Sequence, residues 1–130
     1  MMRNRSLTFL VALGSAALVG FLVADSRPAF AETHSGKEAF EKRCTGCHAL
    51  DNEKAGPHLR GVYGRRAASL SSFQYSEALR KSHITWDSGT LDKWLTDPDA
   101  FIADNDMAFR VTNPEEREAI ISYLKEVSGK

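Results

Sequence analysis

Cys44-Thr45-Gly46-Cys47-His48 is the stretch on which the reading of this 130-residue chain turns. Two cysteines separated by two residues, with a histidine directly after, form the pattern for covalent attachment of haem c. Each thiol adds to one vinyl group on the same edge of the porphyrin. Two intervening residues on a turn of helix set the sulfurs the required distance apart, and the adjoining histidine is aimed at the iron as one axial ligand. Other uses of Cys-x-x-Cys fit less well. A thioredoxin-like redox pair expects a βαβ setting, and no strand alternation surrounds this motif. A zinc site expects a second pair of ligands, but Cys44 and Cys47 are the only cysteines in the chain. A disulfide across two residues is strained.

The N-terminus agrees with this chemistry. Arg3 and Arg5 precede an apolar run from Leu7 to Ala24, Asp25-Ser26-Arg27-Pro28 ends it, and Ala29-Phe30-Ala31 reads as an A-x-A cleavage site. A secretory signal peptide over residues 1–31 is expected, with the mature domain at 32–130 starting at Glu32. An uncleaved membrane anchor is the competing reading, because 18 apolar residues sit at the lower edge of spanning length. Pro28 and the Ala-x-Ala signature favour cleavage. Export to a bacterial periplasm suits the pentapeptide, since haem is joined to such apoproteins outside the cytoplasmic membrane. Residues 32–130 are 99 residues with 14 Lys and Arg against 16 Asp and Glu, a formal net charge of −2. No basic run or basic-aromatic patch points to nucleic acid. A domain of this size has a modest core of its own, which a buried porphyrin would complete.

Helical signals dominate the rest. Ser35-Gly36-Lys37-Glu38 reads as a capping box opening a helix towards Cys44. Residues 49–74 lack sustained periodicity and are expected to be loops wrapped on a ligand. A short helix is expected over Ser76–Lys81. Ser88 is a candidate cap for a helix carrying Leu91, Trp94 and Leu95 at i, i+3, i+4, which Asp97-Pro98 ends. The last helix has Asn113 as N-cap, Pro114 at its first position, Glu115 and Glu116 at the positive end of the dipole, and Gly129 after its end. Ile120, Ile121, Tyr123, Leu124 and Val127 form its apolar face. The fold class is all-α with long loops. Gly36 and Phe40 near one terminus, with Ile120 and Tyr123 near the other, suggest that the terminal helices cross; an ordinary glycine in a first helical turn explains Gly36 equally well.

His48 leaves one iron position to fill. Met107 is the only methionine after the leader and lies in a polar turn, Ala103-Asp104-Asn105-Asp106-Met107-Ala108-Phe109. A thioether on such a loop can reach the opposite haem face, where sulfur favours ferrous iron and raises the potential. Core packing is the ordinary fate of a methionine. His34, His58 and His83 compete less well, lying respectively at the frayed start, beside Pro57 on the proximal side, and in a polar stretch.

These motifs, taken together, resemble class I cytochromes c, the family of mitochondrial cytochrome c and the bacterial cytochromes c2. The similarity runs through Gly36, Phe40, the pentapeptide, Lys54-Ala55-Gly56-Pro57-His58-Leu59 and Gly61-Val62-Tyr63-Gly64-Arg65. It continues through Phe73-Gln74-Tyr75-Ser76, Ile84-Thr85-Trp86, Leu95, Pro98, Phe101-Ile102, Met107-Ala108-Phe109 and Arg117 to Leu124. The resemblance implies a small fold of about four to five helices around one haem c. It implies thioethers at Cys44 and Cys47, with His48 and Met107 as axial ligands. The Pro57 carbonyl would accept the His48 Nδ1–H, and Arg65, Tyr75 and Trp86 would hold the buried propionates. Trp94 stands where the family usually has a tyrosine whose hydroxyl meets the methionine sulfur. An indole N–H sits elsewhere on its ring, so the resemblance does not carry that bond over. Asn105 replaces a threonine near a propionate and still offers a donor.

The rim departs further. Mitochondrial members surround the exposed haem edge with lysines, whereas Asp97, Asp99, Asp104 and Asp106 line this segment and no lysine stands between Lys93 and Met107. A solvated acidic loop is one reading; a docking partner with a less acidic or basic surface is the other. The resemblance implies a single-electron carrier and not an enzyme, serving a cytochrome bc1-type complex, reaction centre, membrane oxidase or periplasmic dehydrogenase, as a monomer without membrane insertion after cleavage. A dedicated dehydrogenase subunit is the alternative, and a peroxidase-like or gas-binding haem protein would require loss of Met107 from iron.

Overall fold

The structure, a computed structural model, describes residues 29–130. It has five helices: α1 Ala29–Arg43, α2 Glu77–Lys81, α3 Ser88–Thr96, α4 Pro98–Phe101 and α5 Pro114–Glu126. Most of the expected leader lies outside the described residues. Its last three, Ala29-Phe30-Ala31, form the start of α1. Ser35-Gly36-Lys37-Glu38 therefore lies inside α1 rather than opening it, which corrects the capping-box expectation. No helix among the described residues is long and apolar enough to cross a membrane.

The crossing of α1 and α5 is the centre of the fold. A Cβ at Gly36 would lie 2.4 Å from the Ala119 carbonyl oxygen and 3.0 Å from Tyr123 Cβ. The glycine is there for close backbone approach, and of the two explanations this geometry selects that one. One turn on, the Phe40 and Tyr123 rings meet at 5.4 Å between centroids, and Ile120 is completely buried beside them. Burial of each such side chain stabilises the fold by about 1.5–3 kcal/mol. Arg43 closes the contact at the end of α1 with two hydrogen bonds to Glu116, at 2.8 and 2.9 Å.

The start of α5 follows its sequence signals. Asn113 Oδ1 accepts from the N–H groups of Glu115 and Glu116, and Pro114 occupies the first position. For α3 the cap is Asp87 rather than Ser88. Asp87 Oδ1 accepts from Thr90 N while Thr90 Oγ1 accepts from Asp87 N, both at 2.8 Å. The carboxylate is the stronger acceptor for the positive helix end, and Ser88 Oγ is taken up with Tyr63 Oη at 2.9 Å. Asp97 ends α3 and caps α4. Arg117 of α5 ties to α3 through Asp92 Oδ1 at 2.8 Å.

Residues 49–74 are loops and turns, as expected, and the short helix α2 starts at Glu77 with Ser76 as its cap. They are organised by backbone bonds between distant points, such as Gly56 N to Cys47 O, Leu59 N to Ala49 O, and Trp86 N to Arg65 O. One antiparallel bridge, Arg66 with Thr85, is the extent of β structure among the described residues. These loops carry Pro57, Arg65 and Tyr75, and Trp86 beyond α2 packs on Trp94 of α3.

Candidate haem-binding site

The pentapeptide continues α1 as a tight turn, with Cys47 N and His48 N both bonded to Cys44 O. Cys44 is partly buried and Cys47 exposed, and both are free cysteines. Burial, with a smaller contribution from the charge of Glu116, pushes the Cys44 thiol up to about 12. The neutral form is thus the one this position favours, and a thioether is neutral. The described residues include no group of three His, Cys, Asp or Glu that could hold a metal ion, so the zinc reading of the motif has no further ligands.

His48 is fixed from two sides. Its Nδ1 lies 2.8 Å from the Pro57 carbonyl oxygen, as the resemblance implied. A carbonyl only accepts, so Nδ1 carries the proton and Nε2 keeps its lone pair. Burial lowers the His48 pKa, the Pro57 bond opposes that, and Lys54 adds to the lowering. A neutral imidazole with a free Nε2 is the form that binds a metal. Gly56 lies against the ring: a Cβ there would sit 2.2 Å from His48 Cε1. Only glycine lets the backbone pass beneath this imidazole.

A second group of residues fits the charged edge of a haem. The Arg65 guanidinium donates to the carbonyls of His58 (2.9 Å) and Arg60 (3.2 Å). No carboxylate among the described residues pairs with it. Burial lowers its pKa, with Tyr75 opposing. A half-buried cation without an anion is costly, and a propionate carboxylate would satisfy it. Tyr75 stands near Arg65, its hydroxyl pKa raised chiefly by burial, and its ring meets Phe73 edge-on at 4.9 Å. Trp86 is buried against Trp94, ring centroids 5.4 Å apart.

The Met107 side is better built than the sequence indicated. Trp94 Nε1 donates to Met107 Sδ at 3.1 Å. The donor on the methionine sulfur is therefore present, supplied by an indole from the last turn of α3. Asn105 does not serve as a free donor. Its Nδ2 donates to Asp99 Oδ1 (3.1 Å) and Ile102 O (2.9 Å), and its Oδ1 accepts from Met107 N at 2.7 Å. Both amide hydrogens are engaged within the protein, so Asn105 braces the methionine loop where the resemblance implied a propionate contact. The signal available in the sequence was its place two residues before Met107, an Asx-turn spacing.

The acidic rim is partly neutralised. Arg110 Nη2 lies 3.0 Å from Asp97 Oδ1 and 3.6 Å from Asp99 Oδ2. Asp104 and Asp106 have no ion-pair partner among the described residues. Phe109, close to them in the chain, is the large apolar side chain left exposed among the described residues, at 41%. Of the other histidines, His58 Nδ1 is 3.9 Å from Glu53 Oε1, and His83 Nδ1 meets Arg66.

The family model for cytochrome c matches residues 34–128. "Cytochrome c2 iso-2" of Magnetospirillum molischianum is 45% identical over 85 residues, 63% of this chain and 88% of that protein. Cytochrome c of Chlamydomonas reinhardtii is 34% identical over 98 residues, 72% of this chain and 88% of its own length. Among solved structures, cytochrome cH from Methylobacterium extorquens superposes with a TM-score of 0.68 at 35% identity, covering 72% of this chain and 97% of that one. The family holds haem c covalently, and Cys44 and Cys47 have the required spacing. With a haem-attachment turn at the end of α1 and helices packed around it, the chain belongs to the class I cytochromes c, which are electron carriers and not enzymes.

Proposed function

We propose that this cytochrome is a periplasmic single-electron carrier with one haem c joined through Cys44 and Cys47, its iron held between His48 and Met107. The observation that carries this reading is the hydrogen bond from Trp94 Nε1 to Met107 Sδ. That bond gives the sulfur a fixed donor, and the Pro57 carbonyl gives the imidazole of His48 a fixed acceptor, which supports both as ligands. Haem supplies the reversible one-electron chemistry of its iron. The chain's own residues hold two ligands in place through both oxidation states, offer Arg65 to a buried carboxylate, and leave a rim through which encounters occur.

The leader expected over residues 1–31, ending at Ala31, supports export and a mature start at Glu32. Its partners are redox proteins: a bc1-type complex, reaction centre or dehydrogenase as donor, and a membrane oxidase as acceptor. Asp104 and Asp106, without ion-pair partners among the described residues and near exposed Phe109 in the chain, support a docking surface on the partner that is less acidic than those met by lysine-rimmed members. The expected result is a holoprotein that titrates as a one-electron couple, shows a methionine–Fe(III) charge-transfer band at neutral pH, and starts at Glu32 when recovered from the periplasm. Absence of that band in the wild type, or its survival in Met107→Ala, would overturn the ligand assignment.

A further inference from the structure

The loop that carries Met107 is held almost entirely by side chains. A turn at Ala103-Asp104 opens it, but among the described residues no backbone–backbone hydrogen bond holds residues 106–110; those nearest it are Ile102 N to Pro98 O and Val111 N to Leu95 O. Asp104, at φ +60°, turns the chain within it. The position of Met107 therefore depends on what its loop's side chains grip.

Their grip forms one continuous network. Arg110, just past the methionine, reaches back to Asp97 and Asp99. Asp97 Oδ1 also accepts from Ala100 N at 3.1 Å as the cap of α4. Asp99 Oδ1 accepts from Asn105, which bonds Ile102 O on one side and the Met107 N–H on the other. Two ends of the loop are thus drawn together, and the methionine backbone hangs from the middle. We infer that Asp97, Asp99, Asn105 and Arg110 form a clasp that holds Met107 in place and so sets how often the distal iron position opens to outside ligands. Asn105 is then a positioning residue, and two of the four acidic residues are structural parts of the loop rather than docking charges. This inference rests on Met107 being an iron ligand.

The magnitudes favour Asn105 as the critical member. Ion pairs as exposed as those of Arg110 contribute little individually. Truncating Asn105 instead removes three hydrogen bonds and leaves the Met107 N–H without its partner, where each lost bond weighs by the full cost of the unsatisfied group.

The test uses ferric holoprotein and cyanide at neutral pH, at concentrations where methionine release limits the rate. Loss of the methionine–iron charge-transfer band is followed, with denaturant unfolding in parallel. Asn105→Ala should raise the limiting rate about fivefold to tenfold, and Asp99→Asn and Arg110→Gln about twofold. Asp104→Asn, an acid of the same loop outside the clasp, should leave it unchanged, since asparagine also accepts the left-handed backbone. An unchanged rate in Asn105→Ala, or an equal rise in Asp104→Asn, would overturn the clasp. Should Asn105→Ala fail to assemble, unchanged rates in both ion-pair variants would do so. A wild type lacking the band would instead refute Met107 ligation, so the two failures are distinct.

Discussion

Replacing Trp94 by phenylalanine removes the donor on the Met107 sulfur and keeps an aromatic ring in α3. With Met107 on iron as proposed, the N–H would draw electron density from the sulfur lone pairs and weaken donation most where it is needed most, in Fe(III). Removing the N–H therefore stabilises the ferric state and lowers the reduction potential. A neutral hydrogen bond contributes about 0.5–1.5 kcal/mol. Assigning all of it to the difference between oxidation states, at about 59 mV for each 1.4 kcal/mol of a one-electron couple, sets the fall at about 20–60 mV. Phenylalanine also leaves space beside Trp86, whose ring lies 5.4 Å from that of Trp94, and water entering there would lower the potential as well. Trp94→Tyr separates the two causes, because it loses similar ring volume but keeps a donor at its tip. Spectroelectrochemical titration of the three holoproteins should give the order wild type, Trp94→Tyr, Trp94→Phe, with stability falling in both variants. Equal falls in the two variants would show that packing and not the N–H sets the potential. No fall in Trp94→Phe would refute the reasoning altogether.

Gly36→Ala places a methyl 2.4 Å from a backbone oxygen and should cost about 1–3 kcal/mol in denaturant unfolding as α1 and α5 are forced apart. Gly89→Ala, whose new methyl would make only ordinary contact with Asp87, should be neutral or stabilising. The Arg43 hydrogen bonds hold the Glu116 carboxyl below its ordinary range. Because the folded pKa is the lower one, its contribution is complete above the unfolded value of about 4.3 and disappears as pH falls through the folded value. Glu116→Gln should accordingly flatten the acid limb of stability against pH, and an unchanged limb would exclude the pair as its source. Asp106→Lys should slow electron transfer with the physiological partner at low ionic strength; acceleration would show that the partner's surface is acidic. Lysine exchange onto iron should be delayed in alkaline solution, since the Met107 loop carries none, and loss of the charge-transfer band at an ordinary low onset would count against this.

Much of the fold was legible because its signals are local. Asn113-Pro114 and the Leu91-Trp94-Leu95 spacing act within a turn or two of helix, and α3 and α5 follow them. The start of α1 was misplaced because Ser35-Gly36-Lys37-Glu38 satisfies a local rule that continuing helix overrides. Asp87 outcompeted Ser88 as a cap because its carboxylate is the stronger acceptor, while the Ser88 hydroxyl is taken up by Tyr63, whose position no local rule records. Asn105 was assigned by its place in a motif, whereas its partners Asp99 and Ile102 depend on how the loop folds back.

By itself, the sequence determined the haem-attachment chemistry of this protein: a turn of helix suffices to fix Cys44, Cys47 and His48 relative to one another, and Met107 is the ligand it proposes for the opposite side. Tertiary structure alone decided how firmly that chemistry is held. Whether an indole reaches a sulfur, a glycine meets a facing helix, or an aspartate serves a loop or a partner depends on atoms distant in sequence. Their separation is set by packing of the whole domain, and hydrogen bonds are lost over a fraction of an ångström that no spacing of residues records.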